Sequence, residues 1–397
     1  MINMSKIFSL MVLSILILAS FVTIFNVVCA SSDVVEDSWN TKEPMSQARA
    51  GLGVVAVDGK IYAIGGYTAR EYFTPIDMCG TNERYNPKKD TWVTLKPMPT
   101  PRTNFAIAAH QGKIYCIGNG PTEVYDIATD RWSVKSDAPF LSTTRFVVLD
   151  SPQAIVVDEK IFVIKDWDLF MYDPIKDSWT QKNSIPIPED NIENVMLGAF
   201  LVAMDTKITV YYTYPIMSMV PPIPFNVATM IYDTQTDEWT TGKTPPMMNI
   251  AGGCMTTGVF APVKIYATST GVGHSVYLSN WVYDPVEDTW ANTQNMPTFR
   301  YHFGVAIVDD VLYVIGGRAA SGILSENEQY VPIGYHGKIG SNFPMDNKIL
   351  LGTLVGTVVV IVVASTFTVI FQKQRKRKNK PDNTFIIAEY VEYEPHQ

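Results

Sequence analysis

The sequence predicts an all-β protein: a six-bladed β-propeller closed by an N-terminal strand, followed by a single C-terminal transmembrane helix. Three observations predict it. An aromatic hairpin recurs at fixed internal spacing, a β-type run precedes each copy, and an uncharged stretch near the C-terminus is backed by a cluster of cations.

The hairpin comes first because repetition decides the architecture. Its copies run Tyr85 to Trp92, Tyr125 to Trp132, Tyr172 to Trp179, Tyr232 to Trp239 and Tyr283 to Trp290. In each, an aspartate (Asp90, Asp130, Asp177, Asp237, Asp288) stands five residues after the tyrosine and two before the tryptophan. Upstream lie short runs such as Lys60-Ile-Tyr-Ala-Ile, Lys113-Ile-Tyr-Cys-Ile and Val311-Leu-Tyr-Val-Ile, whose β-branched and aromatic residues between polar breaks mark strands. The first and last of these runs end in a glycine pair, Gly65-Gly66 and Gly316-Gly317. Three copies add a methionine and an arginine after the tryptophan: Met45 and Arg49, Met98 and Arg102, Met296 and Arg300.

A second strand ending in Gly-Gly, followed by tyrosine and tryptophan at fixed spacing, resembles the kelch repeat, and the resemblance spans roughly residues 34–331. It implies a propeller whose blades are four-stranded antiparallel sheets. The middle copies depart from the pattern, lacking the glycine pair. The physical logic agrees with the resemblance: a four-stranded unit with two apolar faces cannot bury both alone, and a ring of neighbours covers them. The repeated aromatics, Trp39, Trp92, Trp132, Trp179, Trp239 and Trp290 with Tyr85, Tyr125, Tyr172, Tyr232, Tyr283 and Tyr330, are expected to fill the space between blades.

Five hairpins are intact, and a sixth is present in halves. Asp37-Ser38-Trp39 matches its second half and Tyr330 its first, so the N-terminal strand is expected to complete the last blade. With strands alternating in direction, the Tyr-to-Trp turns share one face. The connections after the second and fourth strands share the other, which is expected to look away from the membrane.

Residues 1–30 carry one cation, Lys6, ahead of an uncharged run ending at Val28-Cys29-Ala30, the shape of a signal peptide. Residues 332–348 read as a linker. The 349–371 segment is uncharged, and as a helix it would reach about 34 Å against a hydrocarbon core of about 30 Å. Lys373, Arg375, Lys376, Arg377, Lys378 and Lys380 follow, the flank expected on the cytoplasmic side, so 372–397 form a basic then acidic cytoplasmic tail. The expected location is the cell membrane, single-pass type I, with the propeller outside. Gly352 and Gly356 offer a helix-mediated dimer contact.

The formal net charge is −8, and the basic tail flank makes the body more acidic still, which argues against nucleic-acid partners. No cofactor and no metal site is expected: serine-nucleophile, phosphate-loop and zinc spacings are absent. No catalytic residue is assigned. His302 and His274 share a face but read as solvated loop histidines. Cys79, Cys116 and Cys254 are odd in number, so at least one thiol is unpaired within the chain.

Two features read as candidate binding elements. Arg49, Arg102, Arg145 and Arg300 precede inner strands near the axis and form either a cationic cluster for a carboxylate ligand or staples between loops. The segment from Tyr214 to Phe225, with Ile216, Met217, Met219, Val220, Ile223 and Phe225, reads as an exposed apolar partner loop whose prolines exclude it from a strand ladder. The function these features predict is a cell-surface propeller binding a protein or glycan ligand without catalysis. The alternative, implied by the resemblance, is an exported carbohydrate-active enzyme of the sugar-acid mutarotase or lyase type using the arginine cluster.

Overall fold

The computed structural model describes residues 34–71, 74–140, 151–188, 198–215, 225–247, 251–269 and 279–337. The expected signal peptide, membrane helix and tail lie outside these residues, as do His274 and Arg145. No helix among the described residues is long and apolar enough to cross a membrane.

Six four-stranded antiparallel sheets make up the fold. Blade 1 consists of Gly53–Val57, Lys60–Ile64, Asn82–Asn86 and Thr91–Leu95, and blade 2 of Ala106–His110, Lys113–Ile117, Glu123–Asp126 and Arg131–Val134. Blade 3 holds Gln153–Val157, Lys160–Lys165, Asp168–Asp173 and Ser178–Gln181; blade 4 holds Gly198–Met204, Lys207–Pro215, Phe225–Asp233 and Glu238–Thr241. Blade 5 holds Gly252–Met255, Ile265–Ser269, Ser279–Asp284 and Thr289–Thr293. Blade 6 takes Gly304–Val308, Val311–Ile315 and Asn327–Val331, then receives the N-terminal Ser38–Lys42 as its outer strand, with Trp39 opposite Tyr330. The first strands neighbour one another in a closed circle.

The core lies between blades. In Lys60–Ile64, Ile61 and Ala63 pack with Val311 and Tyr313 of blade 6, while Tyr62 and Ile64 pack with Ile114 and Tyr125 of blade 2. Alternation along the strand therefore sends successive side chains to opposite neighbours. The same division recurs around the ring, for instance where Tyr115 and Ile117 meet Ile161 and Tyr172.

Each hairpin aspartate sits at positive φ, from 51° at Asp130, Asp177 and Asp288 to 61° at Asp237, and Asp37 matches at 48°. Aspartate tolerates this left-handed conformation and offers an acceptor close to the backbone. Tyr85 donates its hydroxyl to Asp90, whose Oδ1 also takes the Glu43 amide at 2.9 Å, while Trp92 Nε1 donates to the Glu43 carbonyl at 2.7 Å. One hairpin thus grips the peptide that ends the outer strand of the preceding blade. Lys96, Ser136, Asn183 and Gln294 are held in the same way by the hairpins of blades 2, 3, 4 and 6.

The joint between blades 4 and 5 departs from this rule. Asp288 takes the Tyr283 hydroxyl and a weak contact from Lys243 Nζ at 3.4 Å, and Trp290 Nε1 is buried without a hydrogen bond. Elsewhere the hairpin tyrosine packs on the central aromatic of the previous blade's second strand, as Tyr125 does on Tyr62 and Tyr172 on Tyr115. Thr209 occupies that place in blade 4.

Burial grades the repeated aromatics, all six tryptophans packing against the clusters between blades. Tyr85, Tyr125, Tyr172, Tyr232 and Tyr330 are enclosed, whereas Trp39, Trp92, Trp132, Trp179, Trp239 and Trp290 are only half-buried. Those five tyrosines fill the gap, Tyr283 is partly buried beside Trp290, and each indole lies at the cluster's edge and, except at Trp290, is tethered through its N–H.

Candidate ligand-recognition face

The two ends of the ring are built differently. On one, first and second strands join through two-residue turns, Asp58-Gly59, Gln111-Gly112, Asp158-Glu159, Asp205-Thr206 and Asp309-Asp310. These turns use positive φ at Asp58, Gln111, Asp158, Asp205 and Asp309, the geometry that tight hairpins between twisted strands require. Blade 5 alone has a longer loop there, and it wraps the buried Asp310 carboxylate, which accepts from Thr257 Oγ1 at 2.8 Å and from the amides of Val259, Phe260 and Ala261.

The other end carries elaborations between second and third strands. Blade 1 raises a hairpin, Tyr67–Glu71 paired with Thr74–Met78, and blade 6 a smaller one, Arg318–Ala319 with Gly322–Ile323. Each is tied to the segment leading into its blade: Tyr67 bridges Ala50, and Arg318 bridges Tyr301. Gly66 must be glycine at its bridge, because its φ is 99° and an added Cβ would lie 2.8 Å from the Ala50 carbonyl oxygen.

Three equivalent left-handed positions meet at the axis on this face: Gly51, Asn104 and His302, with φ of 62°, 54° and 56°. The Gly51 amide donates to the His302 carbonyl at 2.8 Å, and the Asn104 amide donates to the Gly51 carbonyl at 2.9 Å. Below them a central cavity of about 650 Å³ runs between the first strands, lined by Val55, Ile107, Ile155, Leu201 and Val305, with Asn104, Tyr301 and His302 at its mouth. His302 is half-buried, in contrast to the solvated residue expected; burial, then the nearby Arg70 and Arg318 charges, hold its pKa down at about 4. Arg318 lies over the Tyr301 ring, 5.8 Å from its centre.

The arginines singled out in the sequence are placed elsewhere. Arg49, Arg102 and Arg300 are at most 1% exposed. Arg49 donates to the carbonyls of Gly65 at 2.8 Å and Thr81 at 3.0 Å, and its Nη2 pairs with Glu83 at 2.7 Å. Arg102 pairs with Glu123 and Arg300 with Glu328 in the same manner. Ser46, Thr100 and Thr298 complete the sets by donating to the same carboxylates. Burial lowers the Arg49 pKa from its ordinary value and Glu83 opposes that shift. These arginines are staples, closed off from any ligand at the channel mouth. The glutamates were the missing signal: they stand two residues before the hairpin tyrosine, and in blades 3, 4 and 5 that place holds Phe170, Met230 and Trp281.

Of the expected partner loop, Ile216, Met217, Met219, Val220 and Ile223 lie outside the described residues. The ladder extends further toward them than the prolines suggested, since Pro215 still pairs with Phe225 and Tyr214 is buried. Cys79, Cys116 and Cys254 are all free thiols, and burial pushes Cys116 and Cys254 up to about 12.

The Kelch motif family model matches residues 48–99 and 300–334. Kelch-like protein 35 of Mus musculus is 26% identical over 165 residues, covering 39% of this chain and 26% of its own length. Kelch repeat and BTB domain-containing protein 6 of Homo sapiens is 26% identical over 153 residues, 38% of this chain and 21% of its own length. Influenza virus NS1A-binding protein of Homo sapiens is 41% identical over 75 residues, 19% of this chain and 11% of its own length. The chain thus spans about a quarter or less of these relatives. Among solved structures, that titled "Structure of YjhT" superposes with a TM-score of 0.52 at 14% identity, covering 72% of this chain and 95% of the other, a likeness of fold.

Proposed function

We propose that this chain, a kelch-repeat protein, is a binding scaffold that holds a partner protein against the elaborated face of its propeller. The observation that carries the reading is the asymmetry of the ring. One end joins first and second strands through two-residue turns in five of the six blades, while the other raises hairpins from blades 1 and 6 around a cavity mouth. Loops on a rigid scaffold are where recognition is built, because they vary without disturbing the core. Ile76 and Met78, on the blade 1 hairpin, are 39% and 50% exposed and offer apolar anchors. A binding role stands in the printed name of one relative, Influenza virus NS1A-binding protein.

The membrane placement belongs to the same proposal and rests on the sequence: a leader in 1–30, a span at 349–371 and the cations behind it put the propeller outside the cell.

Photo-crosslinking residues placed at Ile76 and Ser321 on the elaborated face, and at Ile175 and Val286 on the short-turn face of the full chain in cells, test the reading. Partner adducts concentrated at the first pair are expected; adducts confined to the second pair would overturn it. An epitope ahead of Val34 should be reached by antibody on intact cells. Staining only after permeabilisation would remove the proposed location.

A further inference from the structure

We propose that the short-turn face of blades 5 and 6 rests on the lipid headgroups of the bilayer, with Val35, Val259 and Val286 entering the interface. The inference rests on the membrane placement proposed above and goes one step past it: a surface of the propeller, and not the span alone, meets the membrane.

The tip of each Tyr-to-Trp turn stands two residues before its aspartate, at Lys88, Ala128, Ile175, Gln235 and Val286 in blades 1 to 5, and Val35 holds the matching place in the split copy of blade 6. Val35 and Val286 therefore occupy equivalent tips on neighbouring blades. They are 69% and 85% exposed, and Val259, in the long blade 5 loop on the same face, is 63% exposed. Apolar side chains gathered in the open on adjoining turns mark a surface with a partner. Two of them are held out by hydrogen-bonded backbone. The Val286 amide donates to Asp284 Oδ1 at 2.9 Å, and the Val259 amide donates to the buried Asp310 at 3.0 Å.

Where the chain leaves the fold points to the occupant. Asn327–Val331 runs toward this face, and the segment after it stays there. The Gly334 amide donates to Glu36 at 2.6 Å, the His336 amide donates to the Phe260 carbonyl at 2.8 Å, and the Tyr335 ring packs on Phe260. Glu36 adjoins Val35 and Phe260 adjoins Val259, so the exit lies within the valine patch. Residues 338–348 separate this exit from the expected span at 349–371, a reach of at most about 40 Å when fully extended. A face tethered so closely meets the bilayer at high effective concentration, so shallow apolar contacts suffice. Lys88 and Lys89, on the adjoining blade 1 turn, can lay their stems along the headgroups with the ammonium groups toward phosphate. Asp309, 3.9 Å from Lys88, and Glu287 offset those charges. The apolar tips therefore carry the contact, and zwitterionic phosphatidylcholine is the surface they fit.

The full chain reconstituted in vesicles of palmitoyl-oleoyl phosphatidylcholine, with a diazirine amino acid at Val286, tests the contact; the control carries the same probe at Ile76 on the elaborated face. Mass spectrometry of the photoproducts counts lipid adducts. About tenfold more lipid adduct is expected at Val286 than at Ile76. Val35→Asp combined with Val259→Asp should cut the Val286 yield severalfold at an unchanged melting temperature, because both side chains are exposed. Equal yields at Val286 and Ile76 in a chain that resists alkaline extraction would overturn the contact and leave the span in place. Adducts at Val286 to a second copy of the chain, in place of lipid, would overturn it as well. A chain that alkali strips from the vesicles would remove the membrane placement itself, and this inference with it.

Discussion

The Tyr330 hydroxyl donates to Asp37 Oδ1 at 2.8 Å across 293 residues of sequence. The same oxygen accepts the Gln294 amide at 2.8 Å, and Trp39 Nε1 donates to the Gln294 carbonyl at 2.9 Å. The split hairpin therefore forms the same grip as the intact ones, and it seals the ring. Tyr330→Phe should lower stability by about 1–2 kcal/mol, as for a lost hydrogen bond that orphans a partly buried acceptor. Removing residues 31–42 should go further and unpair the outer edge of blade 6. Thermal melts and hydrogen exchange at Asn327–Val331 check both, and a truncated chain that melts and exchanges like the intact one would contradict the closure.

Trp92 and Trp290 occupy equivalent places but differ in one bond. Trp92 Nε1 is held at 2.7 Å by the Glu43 carbonyl, whereas Trp290 Nε1 has no partner. Replacement by phenylalanine should therefore cost about 1 kcal/mol more at Trp92 than at Trp290. Urea denaturation of the two variants measures the difference; equal losses would mean that ring packing alone sets the contribution.

Arg49 and Glu83 are both buried, so removing either leaves a charge in the interior. Arg49→Met or Glu83→Gln should each destabilise by about 3–5 kcal/mol, while the double variant should recover part of that loss. A double-mutant cycle on melting provides the test. If Arg49→Met keeps full stability and instead abolishes ligand binding, the staple assignment fails.

The hairpins also set the pH range of the fold. The Tyr125 and Tyr283 hydroxyls hold Asp130 and Asp288 below the ordinary 3.8. At Asp177 and Asp237 burial pushes upward, but the tyrosine hydroxyl and neighbouring amides outweigh it. A depressed carboxyl adds stability above its unfolded pKa, and that share is lost as pH falls through the lower folded value. His302, held at about 4 against 6.5 by burial and two arginines, likewise favours folding above 6.5 and loses that share on acidification. Burial and the aspartates raise the tyrosines, Tyr283 to about 12, so their share is complete below 10 and falls as pH rises past it. Melting temperature should thus be highest between about pH 7 and 9, decline first below 6.5, and fall steeply below 4 and above 10. A flat profile from pH 3 to 11 would contradict this.

Much of the ring was legible in the residues because strand alternation and turn chemistry are local. Ile61 and Tyr62 face opposite blades for the same reason that they alternate, and Asp37 with Trp39 carries enough of the hairpin to identify its missing half. Spacing does not reveal which of two aromatics is enclosed, so the half-exposure of Trp92 beside the buried Tyr85 was hidden. Nor does a repeated arginine distinguish a site from a staple. The discriminating residues, Glu83, Glu123 and Glu328, lie well along the chain and meet their arginines only after the blade has folded. The side hairpins at Tyr67 and Arg318 were missed for a related reason: they are short, irregular and outside the repeat. His302 acquires its charged neighbours only through them.

The antiparallel register that places Ser38 opposite Val331 brings both ends of the propeller to one end of a single ladder. Tension applied through the two flanks would therefore peel that ladder bond by bond, not shear it, making this seam the mechanical fuse of the molecule. Optical-tweezer extension between residues 34 and 337 should record a small low-force step before any sheet unravels.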